Sequence, residues 1–172
     1  MIDGKTRLIA HLGYPTESFK APMIYNPYFA KHRINAVVVP MGCKPEDFPE
    51  FFKPLFRLSN IHGALITMPH KVPIVALLDE VSVSVKVAGA CNAVRVDRDG
   101  KLVGDMFDGE GFVRGVIRKG RKLNTTKYGA PHRHVSHISI KRISSGRDDV
   151  ANIPGTGTAC KAIYQRTIIR ED

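Results

Sequence analysis

The sequence predicts a three-layer α/β/α domain with a mostly parallel sheet in residues 1–122, followed by an irregular basic tail in residues 123–172. Short apolar or β-branched runs alternate with segments of helical periodicity, and strands separated by helices pair in parallel. Charge supports the boundary. Residues 1–113 carry 13 Lys and Arg against 12 Asp and Glu, whereas residues 114–172 carry 13 against 4. The basicity therefore belongs to the last third of the chain.

Three strands are predicted in the first 68 residues, and an early helix lies between the first two. Residues 6–13 (TRLIAHLG) form an apolar run that ends at Gly-Tyr-Pro, and residues 35–41 (NAVVVPM) are rich in β-branched side chains. Residues 63–68 (GALITM) form the third run. A helix is predicted to begin at Ala21, and Pro27 is expected to disturb it.

Two further helical segments flank the third strand. Residues 44–60 begin with acidic side chains and then carry an apolar stripe at helical spacing. The stripe consists of Phe48, Phe51, Phe52, Leu55, Phe56 and Leu58. Residues 71–90 predict one or two short helices that end at Gly89.

One hairpin and one last helix complete the predicted domain. Residues 91–105 alternate apolar and polar side chains around an Asp99-Gly100 turn, which is a strong hairpin signal. The last helix is predicted after Asp108 and closes at Gly120.

Four polar residues lie at the ends of these predicted strands: Thr67, Lys71, Asn92 and Asp108. Ligands of open α/β sheets bind outside the carboxyl ends of the strands. A hydroxyl, an ammonium group, an amide and a carboxylate suit a small polyhydroxylated acid or alcohol, and a Lys–Asp pair can transfer protons. Each residue has a plainer interpretation as a solvated loop residue. Asp108 is also a natural helix N-cap, and Asn92 could simply hold a turn.

Four stretches occur in the order typical of one enzyme family: GYPTESFKAPMIYNPYF, GALITMPHK, AGACNAV and GDMFDGEGF. Over roughly residues 8–120 the chain resembles the substrate-binding half of the shikimate/quinate dehydrogenases. These enzymes interconvert 3-dehydroshikimate and shikimate with NADP, or oxidise quinate, in aromatic amino acid biosynthesis or quinate use. Their first domain holds the substrate, a small hydroxylated carboxylic acid, and their second is a Rossmann domain for NADP or NAD.

The resemblance implies roles for the same four residues. Lys71 is the expected catalytic lysine and Asp108 its partner, with Lys71 giving a proton to the developing alkoxide. Thr67 and Asn92 are the expected ligands of substrate hydroxyls.

The chain departs from the family pattern around this site. The family has a Ser-x-Ser pair that binds the substrate carboxylate, and Phe19 and Ala21 stand at those substrate-binding positions, with Lys20 between them. Further polar family positions are apolar here: Leu65, Ala93 and Met106-Phe107. The pattern predicts either a paralogue whose preferred substrate is not shikimate or drift in a non-functional copy.

The tail lacks the features of a Rossmann domain. Residues 155–160 (GTGTAC) have no third glycine and no clear preceding strand, and too few residues follow for a βαβ unit of roughly 30 residues. We therefore expect this chain to bind no nicotinamide cofactor. The tail is predicted to be disordered, or the product of a frameshift or a truncated gene. Two alternatives are a basic nucleic-acid arm, against which the lack of an aromatic platform argues, and a metal site at His132, His134 and His137.

The number and spacing of the cysteines indicate the redox state of the compartment in which the protein is located. Cys43, Cys91 and Cys160 are odd in number and widely spaced, which indicates a reducing cytoplasm rather than a disulfide framework. No apolar run approaches the roughly 20 residues needed to cross a bilayer, so no membrane partner is expected.

Two functions follow from the sequence: an oxidoreductase of the family that is inactive as this lone chain, or a non-catalytic binding module for a small hydroxylated acid.

Overall fold

The computed structural model describes residues 2–120, and the sheet in this part of the chain has six strands. The strands are β1 (Arg7–Gly13), β2 (Ala36–Gly42), β3 (Ile61–Ile66), β4 (Glu80–Val81), β5 (Ala93–Val96) and β6 (Leu102–Asp105). The helices are α1 (Ala21–Lys31), α2 (Phe48–Leu55), α3 (Val83–Ala88) and α4 (Asp108–Arg118), with a 3-10 helix at Pro73–Leu77.

The sheet is mostly parallel, as predicted. Its strand order is β2-β1-β3-β5-β6-β4, and β5 runs antiparallel to both of its neighbours while the other paired strands are parallel. The carboxyl ends of β1, β2, β3 and β6 therefore lie at one edge of the sheet, and β5 begins there. This edge is where an open α/β sheet forms its ligand site.

Two apolar clusters pack on opposite faces of the sheet and give the predicted three layers. On one face Ile9 of β1 packs with Tyr25 and Phe29 of α1. Ala10 and Leu12 of β1 point to the other face, because side chains alternate along a strand. The second cluster also contains Phe48, Phe52, Leu55, Ile66, Ile74 and Val85. Each fully buried Phe or Ile side chain stabilises the fold by about 1.5–3 kcal/mol.

Helix α1 continues through Pro27, so the prediction that this proline disturbs the helix was wrong. Packing of the buried Phe29 against the sheet offsets the local cost of the proline. The neighbouring Asn26 ties the helix to β2. Its side chain accepts a hydrogen bond from the Val38 N–H at 2.8 Å and donates one to the Val38 carbonyl at 3.1 Å. Because β2 is at the edge of the sheet, these bonds satisfy backbone groups that lack a neighbouring strand.

The segment after β3 contains more than the short helices predicted for residues 71–90. A 3-10 helix and α3 are present, but the two-residue strand β4 separates them. Ser82 is the N-cap of helix α3, and its hydroxyl accepts a hydrogen bond from the Val85 N–H at 3.3 Å. It ends at Gly89, as predicted, because the backbone there has a φ of 63°, which favours glycine.

The predicted hairpin is present as β5 and β6. Gly100 has a φ of 78° at its turn, and the Asp97 carboxylate accepts a hydrogen bond from the Lys101 N–H at 2.8 Å. Helix α4 begins at Asp108 itself, and Gly120 follows its end with a φ of 69°.

Two cysteines fall within the described residues. Cys43 and Cys91 are free and buried. Burial raises the pKa of the Cys91 thiol to about 11, so this thiol is a poor nucleophile at neutral pH. Across residues 2–120, every helix is too short or too polar to cross a bilayer. The sequence predictions for Cys160, for the glycine loop at residues 155–160 and for the tail histidines lie outside the described residues.

Candidate functional site

The four polar residues predicted from the strand ends line one cavity. Thr67 follows β3 and Lys71 comes four residues later, Asn92 precedes β5, and Asp108 opens α4 after β6. The register between β3, β5 and β6 brings these segments side by side at the carboxyl edge of the sheet. The cavity has a volume of about 250 Å³. Its lining consists of His11, Ala21, Ile24, Tyr25, Leu65, Ile66, Thr67, Lys71, Asn92, Ala93 and Asp108.

Lys71 and Asp108 form an ion pair within this cavity. The Lys71 Nζ lies 2.5 Å from Asp108 Oδ2, and the exposed fractions of their side chains are 23% and 43%. The other carboxylate oxygen, Oδ1, accepts a hydrogen bond from Asn92 Nδ2 at 2.6 Å. The carboxylate is thus held at both oxygens, and the ammonium group has further N–H donors for a ligand.

Asn92 connects this pair to the backbone. Its Oδ1 accepts a hydrogen bond from the Phe107 N–H at 3.0 Å, next to the start of α4. The plainer interpretation of Asn92 as a turn residue is therefore true in part, because the side chain holds the turn and also orients Asp108. Asp108 is not an N-cap. It is the first residue of α4, and its carboxylate bonds Lys71 and Asn92.

The loop that carries Lys71 is held in place by the neighbouring His70. This imidazole is fully buried, stacks on Phe48 with ring centroids 3.9 Å apart, and donates from Nε2 to the Cys43 carbonyl at 2.8 Å. The Lys71 carbonyl accepts a hydrogen bond from the Cys91 N–H at 2.7 Å. The lysine backbone is therefore tied to the residue before Asn92, which keeps both side chains in one place.

The two substrate-binding positions expected from the early motif have different surroundings. Ala21 lines the cavity. Phe19 lies outside the cavity lining and packs against His11, with ring centroids 4.2 Å apart and an angle of 36° between the rings. Its far end also lies close to Gly13, where an added Cβ would be 2.8 Å from the Phe19 ring.

His11 is a cavity residue that the sequence prediction missed. It lies in the middle of the buried strand β1, with only 7% of its surface exposed. Burial, with a smaller contribution from the charge of Lys71, lowers the pKa of His11 from 6.5 to about 4. The imidazole is therefore neutral at pH 7. The available signal was a lone polar residue in the apolar run LIAHLG, which is also typical of a core histidine.

Comparisons with known proteins match this part of the chain. Residues 12–94 match the family model described as the shikimate dehydrogenase substrate binding domain. A shikimate dehydrogenase (NADP(+)) of Rubrobacter xylanophilus is 37% identical over 112 residues, which cover 65% of this chain and 39% of that protein. Residues 12–94 belong to the shikimate dehydrogenase substrate-binding domain family. The described domain is similar in structure to the shikimate 5-dehydrogenase of Listeria monocytogenes, solved with shikimate and NAD. The TM-score is 0.66 and the identity 29%, over 71% of this chain and 42% of that one.

A longer alignment reaches into the tail. The shikimate dehydrogenase (NADP(+)) of Geobacter metallireducens is 29% identical over 175 residues, covering 98% of this chain and 56% of that protein. The chain thus spans between 39% and 56% of the length of these three shikimate dehydrogenases.

Proposed function

We propose that residues 2–120 bind a small hydroxylated carboxylic acid of the shikimate type and carry the proton-transfer pair of an NADP-linked alcohol–ketone interconversion. The observation that carries this proposal is the Lys71–Asp108 ion pair, held by Asn92 inside a cavity at the carboxyl edge of the sheet. The names of the relatives supply the substrate and the cofactor.

The chemistry follows from the positions of the charges. When a ring ketone is reduced, negative charge develops on its oxygen, and the Lys71 ammonium group can stabilise that charge and donate a proton. In the reverse direction the neutral amine would take the hydroxyl proton. Asp108 keeps the amine oriented, and Thr67 and Asn92 offer a hydroxyl and an amide to the substrate's other hydroxyl groups.

We infer that the starts of α2 and α4 do not suit the pyrophosphate of a nicotinamide dinucleotide. The first turn of α4 carries the negative charges of Asp108 and Glu110, and the first turn of α2 carries Glu50. A pyrophosphate at either helix would meet like charge where it needs free N–H groups and a positive dipole. Helix α1 has a proline in its first turn. We infer that the described domain binds substrate alone, and that turnover needs a nucleotide-binding unit in addition.

The same observation favours a second candidate function, a non-catalytic binding module for a small hydroxylated acid. The two candidates differ in their dependence on cofactor. With a nucleotide-binding unit supplied, a catalytic domain would support NADPH-dependent turnover that is abolished by Lys71→Ala, whereas a binding module would bind the acid without turnover even then.

Calorimetric titration of the full chain with shikimate and, separately, with NADPH tests the proposal. We expect saturable binding of shikimate, a loss of about tenfold or more in affinity for Lys71→Ala, and no saturable binding of NADPH. Lys101→Ala is the matched control, because Lys101 also forms an ion pair, 2.9 Å from Glu80, but lies outside the cavity. Equal effects of the two lysine variants would contradict the assigned site, and micromolar NADPH binding would contradict the cofactor inference.

A further inference from the structure

The cavity wall formed by β1 and α1 is mostly apolar, and one of its polar groups is buried without a partner. Ala21 and Ile24 of α1, with Leu65 of β3 and Ala93 of β5 beside them, present no polar side-chain atom to the cavity. His11 stands among them, and its Nδ1 atom is buried with no hydrogen-bond partner among residues 2–120. An unpaired buried polar atom normally costs stability, so its place in a cavity lining needs a reason.

The state of the imidazole follows from its surroundings. The ring is neutral at pH 7, so one nitrogen carries a proton and the other a lone pair. Orphaned N–H groups are rarer in buried sites than orphaned acceptors, which favours a lone pair on the buried Nδ1 atom of His11. The proton then belongs on Nε2. Because Nδ1 is enclosed and the ring lines the cavity, the edge that carries Nε2 is the one that can reach a ligand.

Phe19 packs against the His11 ring outside the cavity lining. Its contact with His11 covers one part of the imidazole, and its far end is close to Gly13, so it fills the space next to β1. A histidine packed in this way has little freedom to turn its donor elsewhere. The arrangement resembles a pre-formed binding group more than a mobile side chain.

The charges in the cavity decide which part of the acid faces His11. A ligand carboxylate near Asp108 would meet a like charge, and the remaining N–H donors of Lys71 are needed by the reacting oxygen of the ligand. The residues that β1 and α1 contribute to the lining include no carboxylate, and His11 among them carries a neutral donor. We propose that His11 is a specificity-determining residue, whose Nε2–H donates a hydrogen bond to the carboxylate of the bound acid. The proposal rests on the proposed function, which supplies the class of ligand.

The experiment compares two probes on the full chain by calorimetry: shikimate, and the analogue in which a hydroxymethyl group replaces the carboxylate. His11→Leu removes the donor at similar volume, and His11→Gln keeps an N–H donor. We expect His11→Leu to weaken shikimate binding about tenfold or more but the binding of the analogue less than about threefold, since hydrogen bonds to charged groups are the stronger ones. His11→Gln should retain shikimate affinity within about threefold.

The outcomes separate this proposal from the proposed function. Unchanged shikimate binding by His11→Leu overturns the role of His11 while the proposed function stands. Equal weakening of both probes also overturns it, because that result indicates a structural role. If the wild-type chain binds neither probe, the proposed function fails and the role of His11 fails with it. An NMR measurement of the wild-type imidazole needs no variant. It should show the proton on Nε2 and a shifted Nε2–H resonance when shikimate is added, and a proton on Nδ1 would overturn the proposal.

Discussion

Mild acid should destabilise this domain through His11. In the folded chain burial holds the pKa of this imidazole at about 4, against 6.5 for an unperturbed histidine. Between these two values the unfolded state binds more protons than the folded state, so protonation favours unfolding. The stability that the neutral His11 contributes is therefore present above pH 6.5 and is lost as the pH falls through the folded pKa near 4.

The size of the effect follows from single-site linkage. With the two pKa values of about 4 and 6.5, His11 alone removes about 2 kcal/mol of the free energy of unfolding between pH 7 and pH 5. The complete loss, reached well below pH 4, is roughly 3 kcal/mol. These figures are a large fraction of the 5–15 kcal/mol or so that is typical of a whole domain.

Urea unfolding of the full chain at pH 7 and pH 5 measures this loss. Other groups also titrate in the interval, so the quantity of interest is the difference between wild type and a variant. His11→Leu and His11→Gln carry no titratable group, and both should lose about 2 kcal/mol less than wild type between the two pH values. Agreement of the two variants would separate the charge of the imidazole from its polarity. If wild type and both variants lose the same stability, the imidazole is not buried as a neutral group and the reasoning is refuted.

Two further substitutions test the packing and the hydrogen bonds of the site. Gly13→Ala should destabilise the domain by about 2 kcal/mol or more, because its Cβ would lie 2.7 Å from the Met68 carbonyl oxygen. Gly115→Ala, in open space on α4, should instead stabilise the domain by about 0.5–1 kcal/mol. Equal urea midpoints for the two variants would be inconsistent with the packing. Asn92→Ala should cost about 0.5–1.5 kcal/mol of stability, because the Phe107 N–H loses its acceptor in a partly buried hydrogen bond. It should also weaken shikimate binding, because Asp108 loses the donor that orients it, and an unchanged affinity in calorimetry would show that Asn92 does not act on the site.

Periodicity predicted most of the fold because each main element has enough residues to show a pattern. Strands β1, β2 and β3 have six or seven residues each, and the hairpin carries a clear turn. Strand β4 has two residues, Glu80 and Val81, and pairs with β6 through tertiary contacts that have no local signature. The prediction that Pro27 disturbs α1 was wrong for a related reason. A local rule about proline does not include the packing of Phe29 against the sheet.

The site was predictable where it depends on strand ends and unpredictable where it depends on side-chain direction. Thr67, Lys71, Asn92 and Asp108 each lie within five residues of a strand end, so topology places them near one edge. His11 lies inside a strand, and only the structure shows that it reaches a cavity at the α1 face. Phe19 was expected to line the cavity from its place in a motif. The structure puts it behind His11, where an aromatic side chain adds contact area without adding a polar group.

The cavity consists of two parts that come from different segments of the chain. The Lys71–Asp108 pair is held by the segments around β3, β5 and β6, through Asn92 and the backbone bond from Cys91 to the Lys71 carbonyl. The facing wall comes from β1 and α1 and includes His11, which packs against Phe19 outside the cavity. Substitutions of residues in contact have coupled effects on the free energy, whereas the effects of substitutions at separate sites usually add.

This division explains the pattern of departures from the family motifs. An aromatic side chain at position 19 fits beside β1 only if its neighbour accepts it, and the His11 ring provides that surface. The packing of Phe19 is thus physically coupled to the side chain at position 11. Neither change touches the bonds that hold Asp108. Under the proposed function, recognition of the acid can therefore vary while the geometry of the Lys71–Asp108 pair is kept.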